Sequence, residues 1–151
     1  MNTAEIKCIL RNVDKFKGVF SRDTLPKVLI PPFGLIANTD ISTTPGQHWI
    51  AIYLNSDGSG EYFDSFGLMP IVHEFKEFMI NNCTNGWSYN PVILQTPSYT
   101  SLTCGHYCTL FILCKNKNLP FKTFLNLFST NTMLNDFFAK NIVKENTECL
   151  K

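Results

Sequence analysis

Apolar residues recur with two different periods along this chain, and the switches between them mark its elements. Ile6, Ile9, Leu10 and Val13 stand at helical spacing, which predicts an amphipathic helix over residues 3–13. Residues 16–20 form a turn into a short strand, and 21–26 a polar turn. Pro31 and Pro32 keep residues 29–32 out of a central strand, because each removes a ladder donor. The apolar run resumes at Gly34 and predicts a strand to Asn38, followed by a loop dense in turn formers over 39–46. His48-Trp-Ile-Ala-Ile-Tyr-Leu54 is apolar on both of its faces, the pattern of a central strand covered from both sides. Asn55 to Gly60 is a hairpin turn and 61–64 its returning strand.

Helical spacing returns over 70–81, through Ile71, Val72, Phe75, Phe78 and Met79. Residues 82–90 are expected to be a loop, and Pro91-Val-Ile-Leu-Gln95 a third core strand. A polar turn then leads into a helix that opens with Cys104 and Gly105 and carries the apolar run Leu110 to Leu113. Leu119-Pro120 breaks the chain. Two more helices follow over 121–128 and 133–143, the second capped by Asn131 or Thr132. Short strands interleaved with helices, without repeats or linkers, predict one α+β domain over 1–151, a small central mixed sheet flanked by helices.

At 151 residues, with 44% apolar residues and 13 Phe, the chain has material for a real core and is not of the disordered class. The net charge of +1 and the absence of any Lys/Arg cluster give no nucleic-acid footprint. No apolar run is long enough to span a bilayer, and the mixed charge of residues 1–14 predicts no signal peptide. Six cysteines in such a chain are therefore expected to be reduced thiols in an intracellular setting, the cytoplasm or nucleus. Cys104, His106 and Cys108 lie close in sequence, but no second ligand pair completes a zinc site. Neither metal nor cofactor is expected, and a monomer is the default.

Most cysteines in such domains are simply core residues. Cys104 differs by position. In the first turn of a helix a thiol sits in the positive end of the backbone dipole, which favours the reactive thiolate. Such a nucleophile needs a base, and there are three histidines. His106 is two residues along the same helix and points away; His73 has the neighbours of a surface residue. His48 opens the buried strand immediately after a loop, where sites form. Asp64 closes the returning strand of the same hairpin, so antiparallel pairing brings it level with His48, where a carboxylate can orient the imidazole. Asp64 also has the sequence context of a turn cap. Gln95, before the cysteine turn, is placed to offer an amide beside the Cys104 N–H to a developing oxyanion, with Thr96, Ser98 and Ser101 as rivals.

Taken together, Gly46-Gln-His48-Trp49, Phe63-Asp64-Ser-Phe-Gly67, Gln95 and Cys104-Gly105-x-Tyr107-Cys108 resemble the adenain-like and Ulp1-like cysteine peptidases. They are most similar to the short adenain-type proteases of DNA viruses and virus-like transposons. Phe20-Ser-Arg-Asp-Thr-Leu-Pro26 and Ala37-Asn-Thr-Asp40 also look like that group, and the resemblance runs over roughly 14–115. It implies a papain-like fold with His48 as base, Asp64 as orienting acid, Cys104 as nucleophile, Gln95 as oxyanion donor and Trp49 as the aromatic that follows the base. Gln95 stands about two residues further from the cysteine than in that group. The resemblance further implies an endopeptidase cleaving after small residues such as glycine in viral or virus-like capsid precursors. The resemblance implies a protein or peptide substrate as the partner and leaves a peptide activator and packaging in a virion open. The same residues also suit removal of a ubiquitin-like modifier, acyl transfer on the same fold, or a non-catalytic module that keeps the fold.

Overall fold

The computed structural model describes residues 1–27, 29–98 and 101–147. Its elements are, in order, α1 (Thr3–Leu10), β1 (Phe16–Ser21), a 3-10 turn (Arg22–Thr24), β2 (Phe33–Asn38), β3 (Trp49–Leu54), β4 (Gly60–Phe63), α2 (His73–Asn82), β5 (Trp87–Tyr89), α3 (Cys104–Asn116), α4 (Phe121–Leu125) and α5 (Thr132–Glu145). The strands form one sheet in chain order, β1-β2-β3-β4-β5. β2–β3 and β3–β4 are antiparallel, while both edge pairs are parallel. The result is α+β with a mixed sheet, as the sequence predicts.

β3 is the middle strand, and its residues divide as a two-residue period requires. Ile50, Ile52 and Leu54 join Phe75, Phe78 and Met79 of α2 in one core. Ala51 and Tyr53 point to the other face, into a core built on α1, α3, α4 and α5. That second core contains much of the chain's phenylalanine: Phe63 stacks on Phe111 at 5.1 Å, and Phe124 meets both edge-on at 5.3 Å. Each such buried ring contributes roughly 1.5–3 kcal/mol by its removal from water.

α3 lies inside this packing, buried on most of its circumference from Cys104 to Ile112. Its one buried charge is Lys115, whose Nζ donates to Glu61 Oε1 on β4 at 2.9 Å and sits 4.9 Å from the Tyr53 ring centre. α1 is shorter than the predicted 3–13; it is closed at its start by a reciprocal Asn2–Glu5 capping box. α5 is capped by the Asn131 side chain, which accepts from the N–H groups of Met133 and Leu134.

Two expectations fail in one place. Residues 87–89, expected in a loop, form β5 on the edge of the sheet, and residues 91–95, expected as a core strand, are irregular. The pairing of β4 with β5 ends at Tyr62 and Tyr89. Asn90 continues it with its side chain: Oδ1 accepts the Asp64 N–H at 3.0 Å, and Nδ2 donates to the Asp64 carbonyl at 2.6 Å. Beyond it the chain turns away, and the N–H groups of Leu94 and Gln95 both donate to the Ser65 carbonyl. The apolar run at 92–94 is thus mostly outside; Val92 and Ile93 are more than half exposed and Leu94 alone is buried.

The four thiols Cys83, Cys104, Cys108 and Cys114 are free. Cys8 is disulfide-bonded, against the expectation that all six are reduced; sequence spacing carries no trace of that pairing. Cys149 lies outside the described residues. No helix among those residues is long and apolar enough to cross a membrane.

Ile93→Ala is expected to cost under about 1 kcal/mol, as for a surface position, where a core strand residue would cost about 2–5 kcal/mol. Asn90→Ala strips partners from a buried N–H and a buried carbonyl and is expected to cost about 2–4 kcal/mol. Urea unfolding of the two variants reads both values.

Candidate active site

Antiparallel pairing of β3 with β4 sets Ala51 opposite Phe63, so Asp64, one residue beyond β4, comes level with the start of β3. His48 stands there, its carbonyl held by the Thr39 N–H at 3.0 Å in an extension of the β2–β3 ladder. The ring Nε2 lies 2.9 Å from Asp64 Oδ1. A carboxylate only accepts, so Nε2 carries the hydrogen and Nδ1 is left for the other side of the ring. The same Oδ1 accepts the Phe66 N–H at 2.8 Å, and Gly67 N–H closes on the Asp64 carbonyl. Asp64 is therefore both turn cap and imidazole partner, the two readings its sequence context allows. Gly67 has φ +72°, and an added Cβ would fall 2.7 Å from the Val92 carbonyl carbon, so glycine is required there.

Cys104 opens α3, 8% exposed and beside His48. Thr103, the residue before it, makes no side-chain cap, which leaves the helix end open toward the cleft. Burial alone would push the Cys104 thiol up. The hydrogen bond and charge of His48, with N–H groups of Trp49 and Gly105, outweigh this and bring it below its ordinary value. Burial alone would pull His48 down, but hydrogen bonds and charge from Asp64 and Cys104 raise it from 6.5 to about 9. The two shifts share a cause, a thiolate–imidazolium pair that each partner stabilises in the other.

The neighbouring thiol behaves oppositely. Cys108, one helical turn on, is fully buried, donates to the Trp49 carbonyl at 3.3 Å, and is pushed well up by burial. Of the other histidines, His73 is exposed beside Glu77. His106 faces a separate cavity between α1 and α5, where burial holds it at about 4.

His48, Gln95 and Cys104 line one cleft of about 670 Å³ with Gln47, Phe66, Pro97, Ser101 and Leu102. Phe66 packs on the His48 ring at 5.0 Å. Gln95 is fully buried and held at both ends of its amide. Ser65 Oγ donates to its Oε1 at 2.7 Å, and its Nε2 donates to the Ser101 carbonyl at 2.8 Å and hydroxyl at 3.1 Å. Its hydrogens thus point at Ser101 in this state. The supports Ser65 and Asn90 were not visible in the sequence; each acts through a single side-chain amide or hydroxyl, which leaves no periodic signal.

A buried thiol at a helix start, coupled to an imidazole that a carboxylate orients, on a mixed sheet flanked by helices, is the arrangement of the papain-like cysteine peptidases, and the α+β fold expected from the sequence is the one observed. The chain is similar to a cysteine protease of African swine fever virus (a tick isolate from Malawi), with 29% identity over 125 residues, covering 70% of this chain and 41% of the viral protein. The counterpart from a Kenyan pig isolate, named a SUMO-1 cysteine protease, is 28% identical over the same length and coverage. The chain thus spans about two fifths of the length of these relatives. A crystal structure of the swine fever virus protease superposes with a TM-score of 0.46 at 25% identity, over 71% of this chain and 42% of that one. The central domain of an uncharacterized Legionella pneumophila protein shares the fold over nearly all of both chains, 99% and 97%, with a TM-score of 0.56 at 14% identity. No protein-family model matches the chain.

Iodoacetamide reacts with the thiolate. Labelling of Cys104 is expected to be half-maximal below pH 9 and to outpace the other free thiols. In His48→Ala burial is opposed only by the N–H groups of Trp49 and Gly105, so the midpoint moves up and the rate at pH 7 falls roughly tenfold or more. Mass spectrometry of the labelled peptides against pH reads both.

Proposed function

We propose that this chain is a cysteine-type endopeptidase, in which Cys104 attacks a peptide carbonyl, His48 manages the proton and Asp64 holds the imidazole. The observation that carries this reading is the mutual coupling of Cys104, His48 and Asp64 at the edge of one cleft. The viral relatives named as cysteine proteases support it.

The chemistry follows from the geometry. The Cys104 sulfur adds to the substrate carbonyl, and the electron pair moves to the carbonyl oxygen. The Cys104 backbone N–H is the first donor to that oxygen. Gln95 is the second: the Ser101 carbonyl and hydroxyl hold its Nε2 at the cleft, from where one amide hydrogen turns to the substrate oxygen. Collapse of the adduct breaks the C–N bond, and imidazolium Nδ1–H of His48 protonates the departing amine. A water, deprotonated by the now neutral His48, attacks the thioester carbon and expels the Cys104 thiolate, which frees the acid. Asp64 keeps Nε2–H in place throughout, which fixes Nδ1 as the working nitrogen.

We read the substrate as a protein cut after a small residue. The resemblance to the adenain-like peptidases carries this preference, and Phe66 stands beside the His48 ring as an aromatic wall of the cleft. Glycine fits, and viral or virus-like capsid precursors suit the relatives' source, with the infected cell or the virion as the place of action. The name SUMO-1 cysteine protease carried by three of the relatives favours a second reading, release of a ubiquitin-like modifier at its terminal glycine.

A peptide library presented to the parent chain and to Cys104→Ala is expected to show cleavage after Gly or Ala by the parent alone. Cleavage that persists in Cys104→Ala, or none by the parent, would sink the endopeptidase reading. Processing of modifier conjugates without cleavage of free peptides would instead select the second. The rate should fall on the alkaline side as His48 loses its proton near pH 9, and on the acid side as Cys104 is protonated. Because Asp64 contributes to raising His48, Asp64→Asn is expected to draw the alkaline limb to lower pH, read from kcat/KM against pH.

A further inference from the structure

Asp136 lies on α5, far along the chain from every group described above as reactive. Its carboxylate nevertheless receives three donors from around Cys104, two from the segment that leads into it and one from α3. Tyr107 Oη–H donates to Oδ1 at 2.8 Å, Ser101 Oγ–H to Oδ2 at 3.0 Å, and the Thr96 N–H to Oδ1 at 3.4 Å. Its neighbour Asn135, buried, holds the same segment through the Leu94 carbonyl at 3.1 Å.

The direction of these hydrogen bonds matters more than their number. An ionised carboxylate only accepts. The single Ser101 hydroxyl hydrogen is therefore committed to Asp136, and its oxygen must accept from the other two neighbours. Those neighbours are Gln95 Nε2 at 3.1 Å and Thr103 Oγ1 at 2.6 Å. Thr103 is fully buried and immediately precedes Cys104. With Ser65 donating to Gln95 Oε1 from the other end, the amide has only one orientation that satisfies every partner.

We propose that Asp136 is a positioning residue for the oxyanion site, acting through Ser101 to fix which way the Gln95 amide faces and where the backbone entering Cys104 lies. The inference rests on the peptidase reading of the cleft and adds to it a part of α5 that the resemblance, which stops near residue 115, does not reach. Asp136 touches neither the thiol nor the imidazole. It leaves the ion pair alone and governs the donors that meet charge on the substrate oxygen.

The test separates those two effects on the full chain. A peptide glycinal adds to Cys104 as a hemithioacetal: the sulfur bonds to the aldehyde carbon, and the carbonyl electron pair becomes an oxyanion held by the same donors. Its affinity is read as protection of Cys104 against iodoacetamide, which needs the thiolate but no oxyanion donor. Asp136→Asn is expected to weaken glycinal protection by about tenfold or more, less than the roughly hundredfold or greater cost of removing an oxyanion donor outright. The rate of unprotected alkylation and its pH profile should stay at parent values. Ser101→Ala, which cuts the link while leaving the Asp136–Tyr107 contact, should reproduce the loss, and the double variant should be no worse than either.

Equal glycinal affinity in Asp136→Asn and parent overturns the proposal. So does a fall in alkylation that matches the fall in affinity, because that marks general collapse of the site, and so do additive losses in the double variant. Failure of the peptidase reading has a different signature: the parent binds glycinal and alkylates normally yet cleaves no peptide.

Discussion

The arrangement depends on where one carboxylate sits. Asp64 is the residue at which β4 stops, and its position is fixed from four directions. Its Oδ1 accepts both His48 Nε2 and the Phe66 N–H, while its backbone N–H and carbonyl are held by the two ends of the Asn90 amide. At 3% exposure a carboxylate without such partners would be costly to ionise. Here every donor points at it, and it stays available to hold an imidazole. The pairing of β3 with β4 delivers it to the right level, and Gly67 lets the chain leave without colliding with the backbone at Val92. The thiol is secured differently, by burial of the helix it begins, so two rigid bodies meet at His48.

Between those bodies runs the chain from 90 to 103, whose described residues, 90–98 and 101–103, have almost no regular structure and take their shape from borrowed partners. Ser65 receives its backbone at Leu94 and Gln95, Asn135 and Asp136 hold it from α5, and Asn90 anchors its start. A loop built this way can be exact in position without being a strand or a helix, because each buried polar group finds a partner. The cleft therefore has one wall made of sheet and helix and another made of hydrogen bonds between side chains.

That division explains what could be read from the sequence. The two-faced apolar run at 49–54 identified the central strand because a two-residue period with both phases apolar has one common explanation. The helix at 104–116 followed from an apolar run ending in Leu119-Pro120. His48, Asp64 and Cys104 were legible because strand pairing and helix start translate directly into proximity. Residues 87–95 misled for the same reason the others succeeded. Val92-Ile93-Leu94 has the composition of a core strand, whereas Trp87-Ser88-Tyr89 is too short to announce itself. Which of two apolar runs pairs with β4 is decided by the Asn90 side chain standing in for a backbone rung, and no hydropathy pattern encodes that. Gln95 was found at the cleft but not its engagement with Ser101, and the part played by α5 was invisible because a single Asp on an amphipathic helix looks like solvent-facing charge.

The buried Lys115–Glu61 pair has a mechanical consequence. Glu61 lies three residues before Asp64 on the same run of chain, and Lys115 lies at the opposite end of α3 from Cys104. The helix is thus fastened to one strand at both of its ends, by a full ion pair behind and by the imidazole in front. An α-helix advances about 1.5 Å per residue, so an axial slip of one residue would disengage a charge that has no solvent to fall back on. The lysine serves as an end-stop, setting the depth at which the sulfur stands from some eleven residues away.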